Sequence, residues 1–188
     1  SGIGANPASP SSYIRKRGEG ELAVRAAFDD ATVVRPAVMF GPDDAFLTRI
    51  TKLIRRLPMY PMFGDGKTRL QPAYVEDIGE AITRVLEGTK TPAGTLECGG
   101  PRVYAYAELL RVIAREARVH PILIPVPFAV WGPLAWASEF LPRPPLTRTL
   151  VELMQVDNVA SPTQPGFSEL GISPCPVEEI SRQLLHGL

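Results

Sequence analysis

Tyr13, Lys16 and Arg17 are the residues whose types and spacing could carry out chemistry. In a helix, side chains three and four residues apart share one face, so both cations would lie beside the tyrosine. A free tyrosine hydroxyl has a pKa of about 10, and a neighbouring cation favours the ionised form that exchanges protons. The spacing therefore places a tyrosine hydroxyl beside two cations, and the alternative is an aromatic that only packs at the start of a helix.

Two glycine clusters look like phosphate-binding loops, but neither has the required spacing. A dinucleotide-binding fingerprint needs a third glycine between a strand and a helix, and after Gly2 and Gly4 that position is Pro7. The Gly-Lys-Thr run at 66–68 would need a glycine five residues before its own, where Pro61 stands. Neither cluster is therefore predicted to hold phosphate.

The composition suits one globular domain, or one and a half. The chain has 188 residues, 45% of them hydrophobic, with 20 basic and 20 acidic side chains. With a net charge of zero, the chain has no excess of positive charge to attract nucleic acid, so no such partner is expected. Cys98 and Cys175 are the only cysteines, which favours a reduced compartment without a disulfide framework. His120 and His186 lack metal-ligand spacing, and no metal site is predicted.

Helical periodicity alternates with short apolar runs along the chain. A helix is predicted over 12–28, on the spacing of Tyr13, Arg17, Gly20 and Val24. The other predicted elements are a buried strand over 31–41, helices over 45–57, 75–88, 105–119 and 144–159, a short closing helix within 169–185, a short strand over 94–100 and a buried extended segment over 121–127. This alternation favours an α/β fold. The strands are few for the length of the chain, which indicates that they form the second half of a larger sheet. The exposed edge of such a sheet predicts dimerisation or pairing with the other half.

The segment 128–141 is strongly apolar, with two tryptophans and one charge, Glu139. Pro133 interrupts it, and a membrane-spanning helix needs about twenty uninterrupted apolar residues, so a spanning helix is rejected. Two interpretations remain. The segment is either a core or lid helix, or a peripheral contact with a membrane or a partner.

An ordered series of motifs resembles the short-chain dehydrogenase/reductase superfamily, in its extended and atypical, NAD-dependent epimerase/dehydratase-like members. The motifs are SPSSYIRKRGEGELAVRAAF, ATVVRPAVMFGPDD, FGDGKTRLQPAYVEDIGEAI, YAELLRVIAREARVHPILIPVPF and PPLTRTLVELMQVDNV. The last two are similar to the branch that includes the nucleotide-binding accessory subunit of respiratory complex I. The resemblance implies the C-terminal portion of a Rossmann-type fold over 1–60 and a smaller, mostly helical substrate domain over 61–188, with some elements returning to the Rossmann sheet.

The resemblance also implies a set of site residues. Ser1, Tyr13 and Arg17 match catalytic positions, and Arg69 matches a position that meets a substrate phosphate. The positions that match the cofactor site, for NAD or NADP, are Tyr13, Lys16, Arg17, Pro36, Ala37 and Val38. Arg17 stands where the family has lysine, and because arginine stays protonated, a proton relay through an amine is lost while binding is retained.

Two functions follow from the resemblance. In the first, the nucleotide has a largely structural or regulatory role in a protein related to the complex I accessory subunit, with a respiratory-complex or homodimer partner. In the second, the protein is an active NAD(P)-dependent epimerase, dehydratase or reductase that uses Tyr13 as acid and base. The expected location is the cytoplasm or the mitochondrial matrix, with membrane association on that side through 128–141. Because the glycine fingerprint is absent, the 188-residue chain alone is expected to bind cofactor weakly or not at all.

Overall fold

Short strands alternate with helices in the computed structural model, which describes residues 1–42, 44, 46–88, 94–142 and 144–180. The helices are α1 Ser12–Ala27, α2 Leu47–Arg56, α3 Val75–Leu86, α4 Tyr106–Glu116, α5 Phe128–Ser138 and α6 Arg148–Leu153. The strands are β1 Val33–Pro36, β2 Met39–Phe40, β3 Met59–Phe63, β4 Arg69–Leu70, β5 Ala73–Tyr74, β6 Thr95–Cys98, β7 Tyr104–Ala105 and β8 Ile122–Val126. The predicted α/β class is confirmed.

Most strand pairs are parallel and are separated along the chain by helices. β1 pairs with β6 in the register Val33↔Thr95, β2 pairs with β5, and β3 pairs with β8 in the register Met59↔Ile122. β4 and β7 form an antiparallel pair. Parallel neighbours need a crossover connection, and helices supply it here, as in Rossmann-type folds.

Two clusters of buried side chains form the core. The larger one joins α2 and α4 to β3, and its members include Phe40, Ile54, Tyr60, Tyr106, Leu109, Leu110 and Ile113. The smaller one lies around β6 and α3, and it includes Ala73, Ile78, Ala81, Leu96 and Cys98. The segment that joins β1 to β2 contacts both clusters, because Ala37 belongs to the smaller one and Val38 packs against the larger one.

The strand predicted over 31–41 is two strands. β1 ends at Pro36, which has no N–H to continue a ladder, and the chain then leaves its partner β6. The Ala37 N–H still donates to the Cys98 carbonyl at 2.9 Å, whereas β2 pairs with β5 instead. Residues 36–38 are therefore the point at which the chain changes its pairing partner.

The helix predicted over 12–28 is α1, but the predicted face is wrong. Its buried residues are Ile14, Gly18 and Glu21, while Tyr13 and Val24 are exposed. Gly18 is buried under the main chain of residues 6 and 7, which comes so close that a Cβ at this position would overlap it. The loop before the helix therefore selects the buried face, which helical spacing alone did not reveal.

The predicted burial of 121–127 is wrong, and of the interpretations of 128–141 a core helix is ruled out. The segment 121–127 is extended, as β8, but Ile122 on it is 64% exposed. α5 is not a core helix, because Ala135 is its one buried residue, and Trp136 is 56% exposed. Within the part of the chain that the structure describes, no helix is both long and apolar enough to cross a bilayer. Of the segment 169–185, for which the sequence predicts a short closing helix, residues 177–180 are helical and 169–176 form a turn and irregular structure. Residues 181–185 lie outside the described part of the chain.

Candidate functional site

A cavity of about 260 Å³ lies where the N-terminal loop, α1, the β1–β2 connection and α6 meet. Its lining includes these six residues that the sequence singled out: Ser1, Tyr13, Arg17, Pro36, Ala37 and Val38. The helix spacing and the strand end thus bring the predicted residues to one place. Lys16 and Arg69 are not in the lining.

Tyr13 and Arg17 form a stacked pair at the cavity wall. The guanidinium carbon lies 4.5 Å from the centroid of the tyrosine ring, and an Arg17 N–H donates to the Tyr13 hydroxyl. Gly2 permits this position, because a Cβ on it would overlap the Arg17 guanidinium. The Tyr13 oxygen is thus held by a permanent cation, which suits it to a hydrogen bond or a proton exchange with a ligand oxygen.

Ser1 faces a different group from the tyrosine. Its hydroxyl donates to Glu21, one helical turn beyond Arg17. Burial favours protonation of the Glu21 carboxyl, but its hydrogen bonds from Arg35 and Ser1 and the charge of Arg35 outweigh burial and hold its pKa below the ordinary value. The sequence pattern therefore placed Ser1 at the cavity but did not reveal its partner.

Arg35 lies on β1 and links that strand to α1 and to β6 through hydrogen bonds to a carboxylate on each. It contacts Glu21 through two hydrogen bonds, of 2.8 Å and 2.6 Å, and it donates to Glu97 at 3.1 Å. Hydrogen bonds to the two carboxylates raise the pKa of the guanidinium above its ordinary value. The other Glu97 oxygen accepts the Ser161 N–H at 2.8 Å. No local sequence signal pointed to this cluster, because its members lie on separate elements.

The connection from Pro36 to Val38 lines the cavity, but its main-chain donors are already engaged. Pro36 has no N–H, and that of Ala37 bonds to the Cys98 carbonyl. The Val38 N–H donates to Asn158 Oδ1 at 2.6 Å. Side chains and carbonyls of this connection, rather than its N–H groups, are therefore what it offers to a ligand.

Lys16 and Arg69 have other surroundings. Lys16 is exposed on α1. Arg69 bonds to Asp157, with its main-chain N–H donating to Oδ1 and its Nε to Oδ2, both at 2.8 Å. These bonds, first the main-chain one, hold the pKa of Asp157 below its ordinary value. Asp157 itself lines the cavity, so Arg69 reaches the site through its partner.

The sequence missed one whole wall of the cavity. This wall comes from α6 and the residues after it, namely Leu150, Leu153, Met154, Val156, Asp157 and Asn158. The Thr147 hydroxyl caps α6 by accepting the Leu150 N–H at 3.2 Å. Leucine at 150 and 153 with methionine at 154 is the spacing of an apolar helix face, which is the signal that could have found it.

The donor set fits the nicotinamide-ribose end of a dinucleotide. A tyrosine hydroxyl and a guanidinium offer hydrogen bonds to ribose oxygens, and Pro36, Ala37 and Val38 offer an apolar surface to a flat ring. Tyr13 and Arg17 would hold the ribose, and Pro36 at the end of β1 with the two residues after it would face the ring.

The profile of the RmlD substrate binding domain family matches residues 5–135. Subunit 9 of the NADH dehydrogenase [ubiquinone] 1 alpha subcomplex, mitochondrial, from Arabidopsis thaliana is 30% identical over 92% of this chain and 45% of its own length. The ceramide reductase of Caulobacter vibrioides is 32% identical over 68% of this chain and 40% of its own length. The chain thus spans about half the length of the curated relatives it matches, or less.

Among solved structures, a dTDP-glucose 4,6-dehydratase from Streptomyces venezuelae, determined with NAD bound, superimposes with a TM-score of 0.64. The alignment covers 93% of this chain and 49% of that one, at 16% identity. At this identity the likeness concerns the fold alone.

Proposed function

The chain belongs to the RmlD substrate binding domain family, and on that premise we propose that it forms the nicotinamide side of an NAD(P) site whose nucleotide is largely structural or regulatory. The family membership confirms the predicted resemblance to epimerase/dehydratase-like short-chain reductases. The observation that carries the proposal is the stacked Tyr13–Arg17 pair on the cavity wall beside Pro36, Ala37 and Val38. As part of the proposal, residues 1–60 serve the dinucleotide-binding domain and 61–188 the substrate or interaction region.

A structural role is favoured because proton transfer lacks a relay. When bound, a nicotinamide supplies or accepts a hydride, and turnover then needs a group that passes a proton to the Tyr13 oxygen. Arg17 fills the helix position four residues after Tyr13 and stays protonated, so it binds without relaying. Ser1, the other candidate, donates its hydroxyl to Glu21.

The proposed partner is a respiratory complex. The Arabidopsis relative is by its name a mitochondrial subunit of an NADH dehydrogenase, which supports an assembly role and a matrix location, or its cytoplasmic equivalent in a bacterium. The exposed apolar side chains of 128–141, including Trp136 and Phe140, support a peripheral contact of that segment with a membrane or a neighbouring subunit. A homodimer is the alternative assembly.

A second candidate is an active reductase, epimerase or dehydratase. The specific observation in its favour is the Tyr13 hydroxyl held by a cation at a cavity, which is the arrangement an acid–base group needs. The ceramide reductase relative supports it by its name. In this case Tyr13 gives its proton to a substrate oxygen or takes one from it, and Tyr13→Phe abolishes turnover of NAD(P)H.

The test is a titration with reduced nicotinamide mononucleotide, which probes this end of the site alone. We expect saturable binding in the millimolar range, loss of it in Arg17→Ala, and no change in Lys16→Ala, which removes an exposed cation one position away. Equal effects of the two substitutions, or no binding at all, would contradict the proposal. Parallel titrations with NADH and NADPH assign the cofactor, and turnover that Tyr13→Phe abolishes would favour the second candidate.

A further inference from the structure

The cavity wall formed by α6 and the residues after it is apolar. We propose that this wall takes the alkyl chain of an apolar carbonyl compound, so that the ligand beside the nucleotide is lipid-like rather than a sugar. The inference rests on the proposed function, since it names the class of molecule that shares the site with the nucleotide.

The wall has the composition of a chain-binding surface. Leu150, Leu153 and Met154 lie three and four residues apart, so they share one face at α6, and Val156 extends that face. Phe46 and Leu70 add to the lining from other parts of the chain. Burying an alkyl chain against such a surface is favourable in proportion to the apolar area removed from water.

The polar side chains of the lining are largely committed to one another. The Ser1 hydroxyl bonds to Glu21, and Arg17 bonds to Tyr13. The two polar residues that follow the wall are also engaged: the Asp157 carboxylate accepts two bonds from Arg69, and Asn158 Oδ1 accepts the Val38 N–H.

A sugar carries several hydroxyls, and each one that loses water without a new partner costs binding energy. A ketone has one oxygen, for which the Tyr13 O–H suffices, because that hydroxyl accepts from Arg17 and can still donate its own hydrogen.

The cavity also leaves room for a long chain to extend beyond it. An extended alkyl chain is narrow, and its far end can leave the cavity towards solvent past Val156, which lines the cavity and is 47% exposed.

The experiment measures the affinity of the chain for 2-nonanone and for UDP-glucose by ligand-observed NMR. We expect 2-nonanone to bind more tightly, and Leu153→Gln to weaken it at least about fivefold, because a polar group would replace part of the apolar wall. The matched control is Leu86→Gln at the end of α3, where the leucine is 81% exposed and outside the lining. It should leave the affinity unchanged.

Tighter binding of UDP-glucose, or equal effects of the two leucine substitutions, would overturn the inference. Should Leu153→Gln fail to fold, Val156→Thr replaces it, since threonine keeps the shape and adds a hydroxyl at a position 47% exposed. Titration of the same samples with reduced nicotinamide mononucleotide separates the two ideas. Nucleotide binding without ketone binding refutes only the ligand class, and the reverse result refutes only the nucleotide site.

Discussion

The guanidinium carbon of Arg17 lies 4.5 Å from the centroid of the Tyr13 ring, and the same side chain donates to the Tyr13 hydroxyl. The two residues are one helical turn apart, and the missing side chain at Gly2 leaves the space that the guanidinium fills. A tyrosine and a cation are therefore kept together by a glycine that lies outside their helix.

Replacing Gly2 with alanine is expected to separate this pair. The new methyl group would overlap the guanidinium, and because that group ends a flexible side chain, Arg17 would move rather than the fold. We predict a several-fold loss of affinity for reduced nicotinamide mononucleotide, with the melting temperature nearly unchanged. The control is Gly20→Ala on the open side of α1, which should keep the affinity and stabilise the helix by about 0.5–1 kcal/mol. Equal affinities in the two variants would contradict the prediction.

Arg35→Met should destabilise the protein by about 3 kcal/mol, because it leaves the carboxylates of Glu21 and Glu97 largely buried without their cation. Urea unfolding measures the change. Arg25→Met is the matched control: Arg25 donates to the neutral Thr95 hydroxyl, so its loss should cost only about 1 kcal/mol. A similar loss of unfolding free energy for both substitutions would show that the two carboxylates do not make Arg35 more stabilising than Arg25.

The contribution of Glu21 to stability should depend on pH. Its pKa is lower in the folded chain than the ordinary value of 4.5, so the folded state binds its proton less readily than the unfolded state does. The stabilisation is therefore fully present above about pH 4.5 and is lost as the pH falls through the lowered pKa. Thermal melts should show wild type exceeding Glu21→Gln by a margin that shrinks in this acid range. A margin that stays constant or grows there would contradict the assignment.

Asn158→Leu is expected to cost about 1–3 kcal/mol, because it leaves the Val38 N–H without an acceptor. Asn158→Asp retains an acceptor oxygen of the same reach and should recover most of the loss. Chemical denaturation of the two variants measures the difference. If leucine and aspartate cost the same, the hydrogen bond to Val38 is not what the side chain supplies.

The exposed part of 128–141 should bind anionic or neutral lipid vesicles, if the proposed peripheral contact is with a membrane. Trp136 and Phe140 pack edge to face with ring centroids 5.1 Å apart, and both are more than half exposed. Phe140→Ser should weaken co-sedimentation with vesicles and reduce the blue shift of tryptophan emission. Phe28→Ser is the control, since Phe28 is equally exposed, at 71%, beyond the end of α1. Equal losses in both variants would rule out a specific contact.

Local patterns predicted the elements well and their surroundings poorly. Helix spacing placed Tyr13 beside Arg17, and the apolar run over 31–41 predicted a strand there, because both depend on neighbours in sequence. The break of that strand after Pro36 depends on its two separate pairing partners and was not predicted. The buried face of α1 depends on a loop against Gly18 and on the distant Arg35, neither of which leaves a periodic signal. Asn158 bonds to the Val38 N–H across 120 residues, a tertiary contact that no spacing in the sequence indicates.

The bond between Val38 and Asn158 closes a loop of 120 residues. Closing so long a loop costs conformational entropy before the contacts that it brings together can stabilise the chain. We therefore expect the two sides of the cavity to meet late in folding, after α1 and the parallel strand pairs have formed. A molecule that binds between those sides would then act on the unfolding rate, slowing the first opening of the chain more than it speeds the folding reaction.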